Sequence, residues 1–152
     1  MNTKETTSAN KDRYSGDKLD KIFAGQKSLM AGYKSIVEAH YSKIFKTDVK
    51  VSDEAWEGGE HNIQTKEGSY LIKTMIDSAI QELSEAEQTM KNWKTWKLTE
   101  IPTDADHFKE EMVDALHFFI EACILAGMSP DDLFELYFKK HAVNEFRQES
   151  KY

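Results

Sequence analysis

An all-α fold follows from three features of the sequence. Apolar residues recur at helical spacing over long stretches, Pro and Gly are scarce, and no stretch alternates with the period of a strand. With 2 Pro and 7 Gly in 152 residues, few turns interrupt the chain and its helices should be long. A composition of 39% hydrophobic and 31% charged residues suits one domain with its own core. The expected architecture is a bundle of about four main helices over residues 17–152. A flexible polar tail, "MNTKETTSANKDRYSG" (1–16), precedes it.

The first helical pattern runs from 17 to about 45, through Leu19, Ile22, Phe23, Leu29, Met30, Tyr33, Ile36 and Val37. Residues 47–66 contain "EGGEHNIQ" and read as a loop or broken connection. The second helix is expected from about 67 to 93, with Ile72, Met75, Ile76, Ala79, Ile80, Leu83 and Ala86 along one side. "LTEIPTD" ends that pattern, and Thr103 or Asp104 can cap a third helix reaching about 126. In "GMSPDD", Gly127 stops the third helix, Ser129 caps the fourth and Pro130 opens its first turn. The fourth helix continues to about 149.

A net charge of −7, from 27 acidic and 20 basic residues, disfavours extended binding to nucleic acid. A small anionic ligand meets local rather than net charge and stays open. No apolar run approaches the roughly 20 residues that span a bilayer, and the N-terminus lacks the apolar core of a signal peptide. The single Cys123 has no internal partner, which fits a reducing compartment, and its apolar helix makes it inert packing. The expectation is a cytoplasmic protein with neither a nucleic-acid nor a membrane partner.

The chemistry begins in "HFKEEMVDALHFF" (107–119), where acids interrupt an oily run. Residues three apart on a helix lie about 60° apart around the axis, so Glu111 and Asp114 share a face. The second helix repeats the device with Glu82 and Glu85. Two such pairs facing each other across a groove would repel and raise one another's pKa unless a cation neutralised them. Hard divalent ions such as Mg²⁺ take oxygen ligands of this kind. The plain alternative is a set of solvated acids on amphipathic helices. Basic residues gather nearby in sequence, in "KNWKTWK" (91–97) and in "YFKKHAVNEFRQ" (137–148). The latter places Lys140, Asn144 and Arg147 at steps of four and three on one helical face. Carboxylates that hold metal, with Lys, Asn and Arg opposite, suit a polyphosphate. Trp93 and Trp96 read as core or interface aromatics, His117 as a hydrogen-bonded core histidine, and His40, His61 and His107 show no metal spacing.

Taken in order, E-x-x-E, W-K-x-W-K, E-x-x-D-x-x-H-F and K-x-x-x-N-x-x-R-Q resemble the dimeric all-α dUTPases and the dCTP/dUTP pyrophosphatases of T-even phages. These belong to the wider MazG-like superfamily of all-α nucleoside triphosphate pyrophosphatases. The likeness is strongest from about 80 to 152 and weaker over 20–70, where "QKSL" and "TKEG" carry it. It implies Mg²⁺, with Mn²⁺ as a substitute, held by Glu82, Glu85, Glu111 and Asp114. It implies a water as nucleophile, with Glu82 or Glu85 as the base that takes its proton. Lys140, Asn144 and Arg147, with Lys94 and Lys97 beside them, would contact phosphate and sugar, and Gln26 the pyrimidine base. The implied substrate is a deoxynucleoside triphosphate and the implied assembly a homodimer. Lys140-His141 stands where many members have Lys-Asn, Lys151-Tyr152 where many have Gly-Tyr, and Met30 where some have an Asn that reads uracil. An amide such as Gln26 can flip to suit either pyrimidine, so dCTP is expected beside dUTP.

Three other readings compete. A ferritin-like di-iron bundle needs Glu-x-x-His twice, and this sequence has one Asp-x-x-His. A non-catalytic helical binding protein accounts for the acidic surface but not for the ordered basic set. A MazG-like enzyme of broad or purine specificity differs only in its pocket.

Overall fold

Polar side chains placed just ahead of apolar periods start most of the helices. Asp17 accepts the amides of Leu19 (2.9 Å) and Asp20 (3.2 Å) and opens α1 (Lys18–Ala31). Ser52 caps the short α3 (Asp53–Glu57), Thr65 caps α5 (Lys66–Thr89), and Asp104 caps α6 (Ala105–Leu125). Ser129 and Asp132 form a reciprocal capping box ahead of α7 (Pro130–Glu149), with Pro130 in the first turn. Between these lie α2 (Lys34–Phe45) and the single-turn α4 (His61–Gln64). The computed structural model describes residues 17–151, and no strand occurs among the described residues. The expected flexible tail, 1–16, lies outside them.

The expected first helix is broken in two. Gly32 and Tyr33 leave the helical path, and Tyr33 turns its ring edge-on to Trp56, with centroids 5.7 Å apart. Glycine is a poor helix former, and the break frees Tyr33 to reach inward. The second helix ends at Thr89 rather than Trp93. Asn92 explains the early stop: its amide nitrogen donates to Ile101 O (3.0 Å) and its amide oxygen accepts from Ile101 N (2.9 Å), closing the loop 90–104 on itself.

α5 and α6 form an antiparallel hairpin that is the axis of the fold. Near its closed end Glu82 approaches Glu111. Near its open end Asn62, fully buried, donates to Ala55 O and Leu125 O, both at 2.8 Å, and sits against Gly68. The connection 47–66 is stitched down by Glu38, which accepts from Val51 N, and by Glu67, which accepts from both Ser52 N and Ser52 Oγ. Gly58 (φ 86°) and Gly127 (φ 80°) allow two backbones to touch here. A Cβ on Gly58 would lie 2.3 Å from Ile124 O. The core gathers around residues 120–125 of α6, with Phe23, Met30, Tyr41, Val51, Trp56, Leu71 and Met75 packed on it.

The apolar stripe expected on the second helix divides. Leu71, Met75 and Ala86 are buried and Ile72 partly so, whereas Ile76, Ile80 and Leu83 stay exposed. α6 divides likewise, with Ala115 and Ala122 inside and Met112, Leu116 and Phe119 outside. The α5–α6 pair is wider in apolar surface than the neighbouring helices can cover. α7 leaves α6 at a bend of 105° and has no fully buried residue. No single helix among the described residues is long and apolar enough to cross a membrane.

Candidate active site

The hairpin brings Glu82 of one acidic pair to Glu111 and Asp114 of the other. Carboxylate oxygens of Glu82, Glu111 and Asp114 all lie within 4.8 Å of one another. Glu111 is only 9% exposed, because His107, one turn earlier on α6, closes over it with Nε2 2.6 Å from Glu111 Oε1. Glu82 is partly buried and its pKa is raised. Lost hydration contributes most, followed by a hydrogen bond shared with Glu111 and then the charges of Glu85, Asp114 and Glu111. Glu85 stands beside this group, with its Oε1 accepting from Gln81 Nε2 at 2.9 Å.

The donor set fits a hard divalent cation. It consists of oxygens alone, crowded enough for two carboxyls to share a hydrogen bond, and a dication would remove the repulsion that pushes Glu82 upward. A polar groove of about 620 Å³ opens alongside, lined by Glu85, Glu111, His107, Gln88 and Lys91 among others. Sequence reasoning named His107 only as lacking metal spacing, and Lys91 only within the basic stretch 91–97. The signal for His107 was its i, i+4 spacing to Glu111, which matters only once Glu111 is known to be buried.

On the other side of the same helix face lies an apolar pocket of about 530 Å³. Ile22, Gly25, Gln26, Val113, Leu116, His117 and Ile120 wall it, with Lys18 and Lys21 also contributing. His117 is one helical turn, about 4.5 Å of rise, beyond Asp114. The expected core histidine is therefore exposed on a pocket wall, although it is hydrogen-bonded as expected: its Nδ1 lies 2.9 Å from Gln26 Oε1. Gln26 is buried, and its Nε2 donates to Glu121 Oε2 at 3.2 Å and approaches Tyr33 Oη at 3.4 Å. Glu121 is 1% exposed and its other oxygen has no partner among the described residues. Sequence reasoning missed Glu121 because a single acid in "HFFIEACIL" carries no spacing signal.

The basic residues are placed less closely. Lys94 is partly buried, with Nζ 5.5 Å from the centroid of the Trp93 ring, and Lys97 is exposed, both on the loop 90–104. Lys140, Asn144 and Arg147 are exposed along α7. Among the described residues, no ion pair joins any of these cations to an acid of the cluster.

Comparison with known proteins bears on this site. A dCTP pyrophosphatase of Enterobacteria phage LZ5 is 37% identical in a match covering 40% of this chain and 41% of that protein. A dCTP pyrophosphatase of Enterobacteria phage T4 is 32% identical, covering 40% and 42%. The chain thus spans about two-fifths of the length of the curated relatives it matches. No solved structure matches. The family model described as dUTPase matches residues 18–126, a range that holds Gln26, both acidic pairs, Lys94, Lys97 and the pocket wall but stops before α7. On a match covering well over half of its length, and including every carboxylate of the cluster, the chain belongs to the dUTPase family.

Proposed function

We propose that this chain hydrolyses pyrimidine deoxynucleoside triphosphates, dUTP and dCTP, to the monophosphate and pyrophosphate. The observation that carries the reading is the juxtaposition of an all-oxygen carboxylate cluster with an apolar, amide-bearing pocket one helical turn away. Glu82, Glu85, Glu111 and Asp114 would hold Mg²⁺, which supplies charge neutralisation for the triphosphate and lowers the pKa of water. Glu82, and Glu85 beside it, are the carboxylates placed to take a proton from the attacking water. His107 holds Glu111 in place, leaving that carboxylate one oxygen for the cation. Lys91 lines the polar groove, where a departing pyrophosphate needs cations, and Lys94 and Lys97 follow it on the loop 90–104.

The exposed ridges of α5 and α6, with the aromatic face of α7, support a homodimer as the working unit. The same assembly would give Lys140, Asn144 and Arg147 a surface to act on. Relatives from two phages support a place for the enzyme in the cytoplasm of an infected cell, where deoxynucleotides are made. The test is pyrophosphate release from dUTP, dCTP, dTTP, dATP and dGTP with Mg²⁺, with Mn²⁺ and with EDTA. The two pyrimidines without a 5-methyl group should lead, and EDTA should abolish turnover. Full activity in chelator, or a purine as best substrate, would falsify the reading.

A further inference from the structure

Behind the pocket wall, four side chains form one connected set: His117, Gln26, Glu121 and Tyr33. Their hydrogen-bonding roles are fixed in sequence by elementary chemistry. An ionised carboxylate only accepts. An ionised Glu121 therefore accepts from the Gln26 amide nitrogen, at 3.2 Å. The second hydrogen of Gln26 Nε2 points to Tyr33 Oη. Both amide hydrogens are thus spent on the core side, and the amide cannot turn over while Glu121 is charged. Gln26 Oε1 is left facing His117, which must carry its proton on Nδ1 to make the 2.9 Å contact. A neutral His117 ring then has a bare Nε2. Where Gln26 and His117 meet, the wall therefore presents two acceptors, the second lone pair of Gln26 Oε1 and His117 Nε2, while the pocket's donors, the Lys18 and Lys21 ammonium groups, come from earlier turns of α1.

We propose that Glu121 is a positioning residue for base selection, and that by locking the Gln26 amide it makes the pocket prefer a pyrimidine with an exocyclic amino group, so that dCTP leads dUTP. The proposal rests on the reading of this pocket as the base site. Cytosine places an N–H donor where uracil places a carbonyl oxygen. A carbonyl set against two acceptors loses its hydration with nothing in return. The expectation from sequence, that Gln26 flips freely to suit either base, does not hold for an amide pinned from behind.

Two measurements test this. The first is the tautomer of His117, read from ring ¹⁵N shifts in the substrate-free protein at about pH 8, where the wild type should carry its proton on Nδ1. The second is the dCTP:dUTP ratio of kcat/KM in wild type and in Glu121→Gln. The glutamine keeps shape but can donate as well as accept, so Gln26 is free to turn and the ratio should fall about tenfold or more, mainly through KM for dUTP. A wild-type ring protonated on Nε2 overturns the proposal without recourse to any variant. An unchanged ratio in Glu121→Gln, or dUTP leading in the wild type, overturns it as well. A wild type that cleaves neither triphosphate overturns the functional reading instead, and the base assignment with it, even where His117 carries its proton on Nδ1.

Discussion

At the residue scale, the carboxylates divide by what each loses when neutralised. Glu82→Gln, Glu85→Gln, Glu111→Gln and Asp114→Asn each remove one charge and keep the shape. Each should lower kcat about a hundredfold or more, as loss of a metal ligand or base does. Melting temperature in the absence of metal should hold or rise, since the crowding that raises Glu82 is relieved. Variants that stay active but melt early would make these residues structural. The acid behind the pocket behaves differently. Burial raises the Glu121 carboxyl, and the hydrogen bonds from Tyr33 and Gln26 pull it back in part. The folded state thus keeps this proton to higher pH than the unfolded chain, whose value is about 4.3. The group weighs least on stability below that value, and its cost grows as pH rises through the raised folded value. Glu121→Gln should therefore melt above wild type at about pH 8 and lose that advantage toward about pH 4, and thermal scans across that range read the trend directly. The convergence of Glu82 with Glu111 and Asp114 was legible beforehand, because E-x-x-E and E-x-x-D have a helical meaning on their own. Glu121 and Tyr33 were not, since their partners lie on another helix and only packing brings them together.

At the element scale, the sequence was most informative where a local rule acts alone. Asp104, Ser129, Pro130 and Gly127 were legible as stops and starts because capping depends on neighbours within one turn. The break at Gly32-Tyr33 was hidden, since the apolar period runs straight through it and the cause is tertiary: Tyr33 turns inward to Trp56 and Gln26. The connection 47–66 read as loop because its order comes from distant acids, Glu38 and Glu67, rather than from its own pattern. Its tightest point makes a clean test. Gly58→Ala places a methyl against Ile124 O at a positive φ, and both effects oppose folding. The change should cost about 2 kcal/mol or more and lower Tm by several degrees. An unchanged Tm would mean that this loop can move away from α6. Gly25, which lines the pocket with nothing within 4 Å of its missing side chain, is the matched control for thermal stability.

At the scale of the whole molecule, the dominant feature is apolar surface left open. Ile80 is 59% exposed and Phe146 68%, and α7 turns Phe134, Tyr137 and Phe138 outward in one aromatic cluster. A homodimer burying about 1,000 Å² or more is expected, measured by light scattering at micromolar concentration. Phe138→Asp should shift it toward monomer if α7 lies in the contact. A monomeric wild type would sink this assembly. The sequence showed that the apolar stripes exist but not which ridge of each faces inward, because both ridges of α5 and of α6 are equally oily. Helix α6 has a consequence of its own. It carries Glu111 and Asp114 at one station and His117 and Ile120 at the next, so on the function proposed above the distance between phosphate chemistry and base recognition is written into a single rod. Such a ruler lets one end be revised without recalibrating the other. A lineage could change the letter it removes from the nucleotide pool by editing one turn, while the cutting end stays as it was.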